Sequence, residues 1–479
     1  MKKIHTLIMF SLTVICAFKY ADIKPAYSLK YKVTGLKEKD TVFLANYYGD
    51  KQYLKDTAIV GKEGKFVFEG KNKLDPGIYL VVLPGKQYFE TIVDEQSFTM
   101  ETNTTDYTRN MKVTGSVENQ VFYEYLKFIV EKGARAESQR KMYDSINKKD
   151  TVAGKKLREE VIALEKEIFE YRKNFIKNNP DRLITKVFRA MSDPEIPATP
   201  KLPNGRPDST FPYRYYKEHY WDNIDLNDDR LIRTPIFHQK LERYIKNMIL
   251  QIPDSINKEA DILIPKVKNE KSEIFKYIIW YITNQYETSN IMGMDAVFVH
   301  MAEKYYLAGK AYWINDDIET KIRDRYNTLR LLLLNNYAPV LSMPDTAGKY
   351  KSFTSFKTKY TVLIFWDPNC GHCQKEMPKL RDLYVQDKAK HDFEVYAVCT
   401  SVEIDPLKNF IKSNKLTFTN VYDPRNETNF RKIYDVYSTP VMYVLDQNKK
   451  IIAKRLGVEQ LAEFFENYGK MIEARKKGN

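Results

Sequence analysis

The sequence predicts a multidomain chain: an N-terminal all-β sandwich or barrel, a central all-α region and a C-terminal α/β domain. Three observations carry that reading. At 479 residues the chain exceeds one ordinary domain and fits about three. Its composition, 43% hydrophobic and 13% aromatic, supports several cores. The apolar pattern also changes twice, from short alternating runs to helical spacing after Gly115, and to alternating strands and helices from Ala338.

The first segment, 1–26, has the layout of a secretory signal peptide. Lys2 and Lys3 precede a mostly apolar run from Ile4 to Phe18 that is short for a membrane span. Ala17, Ala21 and Ala26 are candidate cleavage points, with Lys19 or Lys24 at the minus-three position of two of them. Cys16 raises lipid anchoring, against which stands the bulky Ile15 before it. The expected location is therefore the periplasm or cell envelope, with membrane association left open. Cleavage after Ala21 would remove Lys2, Lys3 and Lys19, taking the formal charge from +14 to 14 − 3 = +11. Lys and Arg are mixed along the chain with 63 acidic residues, which points to a solvated surface and away from nucleic acid.

Residues 27–118 form the β-rich segment. "DTVFLANYYG", "GKFVFEG", "GIYLVVLPG" and "SFTMET" are short runs of β-branched and aromatic residues punctuated by Gly and Pro. Residues 119–335 read as helical. Phe122, Tyr125, Leu126 and Ile129 share a face, and Leu157, Val161, Leu164, Ile168, Tyr171 and Phe175 keep a 4-3-4-3-4 spacing. That seam suits a helix packed inside its own chain or a dimer coiled coil, and the oligomeric state is left open. His219, His238 and His300 are far apart in sequence and read as ordinary histidines, so no metal site is expected. Residues 336–479 alternate strands such as "YTVLIFW", "FEVYAV" and "VMYVLD" with helices such as "DPLKNFIKSN".

The chemistry concentrates in "IFWDPNCGHCQKEMP", residues 364–378. Haem attachment requires a histidine directly after the second cysteine, where Gln374 stands. Structural zinc requires a second ligand cluster, and copper binding has no further ligand motif. A disulfide closing so small a loop restrains the unfolded chain little. A redox couple remains. Cys370 follows a buried strand and a Pro-Asn turn where a helix begins, so backbone N–H groups and the helix dipole lower its pKa. Cys370 is then the nucleophile and Cys373, one turn later, the resolving thiol. Cys399 reads as a buried bystander.

Trp366, the pair Cys370 and Cys373, Pro378, and "STP" at 438–440 before a strand resemble the thioredoxin fold. "APVLSMPDTAGKYKSF" and "CQKEMP" resemble the exported TlpA/ResA-type thiol–disulfide oxidoreductases of the redoxin group, over about 336–475. The preceding regions resemble accessory segments ahead of this domain in exported bacterial relatives. The resemblance implies a cis Pro440 that places Thr439 beside the cysteines for substrate pairing, and a Glu376 that takes the proton from Cys373. Trp366 and His372 complete the expected substrate-facing set, Trp366 as packing beneath the site. Thioredoxin has a buried aspartate six residues before its first cysteine, and Ile364 occupies that place here. Peroxidases of the group put Thr or Ser three residues before the reactive cysteine, where this chain has Asp367.

The expectation is a disulfide-exchanging enzyme that needs no cofactor beyond its Cys370–Cys373 couple. Its partners would be thiol or disulfide client proteins and a membrane thiol donor. His372 inside the pair, as in protein disulfide isomerase, shifts the couple towards an oxidant, so oxidase or isomerase stays open beside reductase. A partner- or ligand-binding protein with a regulatory redox domain is the alternative from another class.

Overall fold

The structure, a computed structural model, describes residues 24–145 and 152–477. The signal-peptide reading, with Cys16, falls outside them save for residues 24–26. The described chain forms two compact units: one contains residues up to 193 together with 230–236, the other contains 194–229 and 237 onward.

In the first unit eight strands make two four-stranded sheets. These are β1 (Tyr27–Thr34), β2 (Thr41–Tyr48), β3 (Lys51–Ile59), β4 (Lys65–Gly70), β5 (Gly77–Val82), β6 (Tyr88–Val93), β7 (Ser97–Asn103) and β8 (Lys112–Thr114). The orders are β4-β1-β7-β8 and β3-β2-β5-β6. Alternation along β1 buries Tyr27, Leu29, Tyr31 and Val33 on one face. Tyr31 of one sheet meets Phe89 of the other with ring centroids 5.9 Å apart, as a sandwich requires.

Helices α1 (Val117–Ser145), α2 (Val152–Asn178) and α3 (Leu183–Met191) follow. The heptad-like seam packs within the chain: Tyr171 stacks on Phe128 at 3.8 Å, and Phe175 meets Tyr125 at 5.6 Å. These pairs run in opposite directions along the two helices, so α1 and α2 form an antiparallel pair.

The second unit joins a helical layer to an α/β domain. The helices are α4 (Phe211–Glu218), α5 (Pro235–Glu242), α6 (Pro253–Leu263), α7 (Glu273–Glu287), α8 (Asp295–Met301) and α9 (Asp316–Leu329). Ser272 caps α7 by accepting from the Phe275 N–H at 3.1 Å, and Asn315 caps α9 by accepting from Ile318 at 3.0 Å. The histidines have ordinary partners, His219 with Asp222, His238 with Tyr277 and His300 with Asp261. No group of metal-ligating side chains occurs among the described residues.

The α/β domain opens with a short hairpin, β9 (Ser342–Pro344) and β10 (Tyr350–Ser352). Then come β11 (Tyr360–Trp366), α10 (Gly371–His391), β12 (Phe393–Cys399), α11 (Ile404–Asn414), β13 (Thr419–Tyr422), α12 (Phe430–Ile433), β14 (Val441–Asp446), β15 (Ile451–Lys454) and α13 (Leu461–Lys477). The sheet order is β13-β12-β11-β14-β15, with β11–β13 parallel and β14 and β15 antiparallel. Every residue of β11 is buried because both faces of this central strand are covered. Val362, Ile364 and Trp366 face the core under α10 and α13, while Leu363 and Phe365 face the core holding Phe430 and Tyr434.

A buried ion pair ties the helical layer to this domain. Lys454 of β15 donates to Asp295 of α8 and, at 2.6 Å, to the Leu332 carbonyl. The two side chains are only 7% and 12% exposed.

Candidate functional site

The site forms where β11 ends and α10 begins. β11 delivers Trp366 to the sheet edge opposite Cys399 in register, and the turn Asp367–Asn369 reverses the chain into the helix. The Asp367 carboxylate accepts the Asn369 N–H at 2.8 Å, fixing that turn. Cys370 occupies the N-cap position of α10 in extended conformation.

There its thiol meets the unsatisfied amides of a helix start. The N–H of Cys373 is the main influence holding the Cys370 pKa below the usual thiol value, followed by Thr439. The Thr439–Pro440 peptide is cis, and the Cys370 thiol donates to the Thr439 carbonyl at 3.4 Å. One turn on, Cys373 points into the core with Trp366, Met377 and Cys399. Burial pushes the Cys373 thiol up to about 11.

The structure thus brings Cys370, Cys373, Thr439 and Pro440 together. Trp366 is completely buried against Phe410, so as a substrate-facing residue it acts from beneath and does not touch a client. His372 is exposed on the first turn of α10, and its backbone N–H is a minor contributor to the lowered Cys370 pKa. Glu376 lies three residues after Cys373 on the helix, its side chain 14% exposed and paired with Lys379 at 2.7 Å. Ile364 is buried where thioredoxin has its aspartate.

Asp367, Thr400 and Arg431 were missed as site residues. The Asp367 N–H lies 3.5 Å from the Cys373 sulfur, and its carboxylate accepts the Thr400 hydroxyl at 3.3 Å. Arg431 donates to the Thr400 carbonyl at 2.8 Å. Asp367 was legible as the residue before a Pro-Asn turn and as a departure from the peroxidase pattern, while the other two reach the site through tertiary structure. Cys399 is buried, and desolvation pushes its thiol up to about 12.

What this arrangement can do is exchange electrons between thiols and disulfides: one partly exposed, acidified thiol beside one buried thiol of the same turn. Residues 334–454 match the AhpC/TSA family, 170–331 a domain of unknown function (DUF5106) and 27–122 another (DUF4369). The chain is 34% identical over 135 residues to the thiol-disulfide oxidoreductase ResA of Bacillus thuringiensis, covering 28% of this chain and 76% of that one. It is 32% identical over 116 residues to the sporulation thiol-disulfide oxidoreductase A of Bacillus subtilis, covering 23% and 68%. Among solved structures, a domain of a "possible thiol-disulfide isomerase" from Cytophaga hutchinsonii is 45% identical, covering 30% of this chain and 97% of that one, with a TM-score of 0.29. By its C-terminal domain, the chain belongs to the ResA-type thiol–disulfide oxidoreductases of the AhpC/TSA family.

Proposed function

We propose that the chain reduces disulfides in exported client proteins through the Cys370–Cys373 couple. The observation that carries this is the asymmetry of the two thiols, with Cys370 lowered and partly exposed at a helix start and Cys373 raised and buried behind it. The Cys370 thiolate attacks one sulfur of the client disulfide, and the departing client thiolate takes a proton. Cys373 then gives its proton to Glu376 and attacks the Cys370 sulfur. That step forms the Cys370–Cys373 disulfide and releases the second client thiolate. Two electrons pass to the client, one proton comes from Cys373 by way of Glu376 and the other from solvent, the ionised Cys370 having none to give, and a membrane thiol donor restores the dithiol.

The backbone of Thr439 pairs with the client, and no cofactor or nucleic acid takes part. The setting is the periplasm or cell envelope, supported by the Lys2–Lys3 start and the apolar run after it. Among the described residues no helix is long and apolar enough to cross a membrane.

Insulin reduction with dithiothreitol tests the reading. Wild type accelerates it, Cys370→Ser abolishes it, and Cys373→Ser accumulates the mixed disulfide. Equal rates in all three would sink the proposal. A glutathione titration tests direction: a potential near about −270 mV supports reduction, and one near about −180 mV overturns it in favour of oxidation or isomerisation.

A further inference from the structure

We propose that α9 and the loop leading into Pro440 form a client-docking groove selecting polypeptides with an acidic and an aromatic residue near the target cysteine. This rests on the reading above that clients are polypeptide disulfides.

Two hollows flank α9. One, of about 720 Å³, is walled by Lys321 and Arg325 of α9 and by Arg431, Lys432 and Tyr437 of the segment entering the cis-proline turn. The other, of about 470 Å³, is lined by Trp280, Phe298, Tyr306 and Trp313 and shares Lys321 and Arg325 with the first. Lys321 and Arg325 line both hollows and stand between them, so a bound segment crossing α9 would use the two as a single groove. Its near end adjoins the redox couple, because Tyr437 is two residues from Thr439, whose carbonyl contacts Cys370. Two residues span at most about 7 Å.

The chemistry of the walls identifies the occupant. The first hollow presents Lys321, Arg325, Arg431 and Lys432 against a single acid, Asp324. Arg325 is committed to Asp435, but Lys432 holds Asp324 at 3.3 Å with both side chains more than half exposed. Such an exposed pair is weak and is readily exchanged for a client carboxylate. Tyr437, 83% exposed, offers a ring beside these cations. The second hollow is aromatic, with room for one large apolar side chain. An extended segment leaving the Thr439 backbone would lay acidic residues in the first hollow and an aromatic anchor in the second. One wall of the groove belongs to the region matching a domain of unknown function, which gives that region a role in client choice.

The test uses the full chain, dithiothreitol, and two synthetic peptides that carry the same reporter disulfide. One has Asp and Trp flanking its cysteine, the other Lys and Ser. A small aromatic disulfide serves as reference. For wild type, kcat/KM on the Asp/Trp peptide relative to the reference exceeds that on the Lys/Ser peptide. The preference weakens at high salt. In the Lys321→Glu/Lys432→Glu double variant the preference falls about ten-fold, or about 1.4 kcal/mol, mainly through KM, and the Lys/Ser peptide gains. Equal relative kcat/KM for both peptides in wild type, or an unchanged preference in the variant, overturns the groove. Peptide binding is also read by fluorescence anisotropy. Selective binding without turnover of any disulfide supports the groove and removes the redox reading, whereas turnover of the reference with sequence-blind binding does the reverse.

Discussion

Alkylation of the reduced protein isolates the asymmetry on which the exchange depends. The ordinary thiol value is 9.0, and Cys373 is raised to about 11 while Cys370 lies below 9.0. At pH 7.5 a thiol with a pKa of 9.0 is about 3% thiolate, and one at 11 about 0.03%, so ionisation alone favours Cys370 at least about 100-fold. Intrinsic nucleophilicity falls with pKa by a Brønsted slope of about 0.4–0.5, which returns a factor of about eight over two units. A preference of at least about ten-fold survives, and the burial of Cys373 enlarges it. Iodoacetamide at pH 7.5, quenched at intervals and mapped by peptide mass, should label Cys370 first. Its rate should pass half of its plateau value below pH 9. Equal labelling of both cysteines, or a Cys370 rate still rising steeply above pH 9, would refute the argument.

Asp295→Ala leaves the Lys454 ammonium buried with the Leu332 carbonyl, so urea unfolding should show a loss of about 3 kcal/mol or more. A change under about 1 kcal/mol would show that the ion pair does not hold the helical layer to the redox domain. Reduced and oxidised protein should differ in their stability against pH. The raised Cys373 contributes stability that is complete below pH 9 and lost as pH rises towards 11, so the reduced form weakens across that window relative to the disulfide form. The lowered Cys370 acts oppositely, its stabilisation present above 9 and lost as pH falls through its folded value. Thermal melts of both forms from pH 6 to 11 check both signs. His372→Ala should move the redox potential by less than about 30 mV, because its backbone N–H survives the change; a glutathione titration measures it.

The fold was largely legible because period is physical. "YTVLIFW" reads as a buried strand, and β11 is buried at every residue. The 4-3-4-3-4 seam of α2 announced a packed helix, though sequence alone left its partner open until Phe128 and Tyr125 were placed against it. The two cysteines declared themselves by spacing and by the turn before them. The rest of the site is built across the chain. Arg431 reaches the Thr400 carbonyl through α12, and Asp367 meets Cys373 through its amide, which any residue possesses. Short-range pattern carries neither contact. The groove residues are more distant still, with Lys321 and Tyr437 over a hundred positions apart.

The direction of electron flow turns on what stabilises the Cys370 thiolate. A dipeptide Gly371-His372 between the cysteines suggests an imidazole that favours the reduced form and makes the couple oxidising. In the folded chain the influences on Cys370 are the Cys373 N–H first, then Thr439, with His372 entering through its own backbone N–H. Amides at the start of α10 are present whatever side chain follows Cys370, so this stabilisation is what any helix start supplies. The histidine side chain stands exposed, where water screens it. The named influences on Cys370 are thus those of a helix start, which is consistent with the proposed reductive direction, and the glutathione titration decides between that and the oxidant reading.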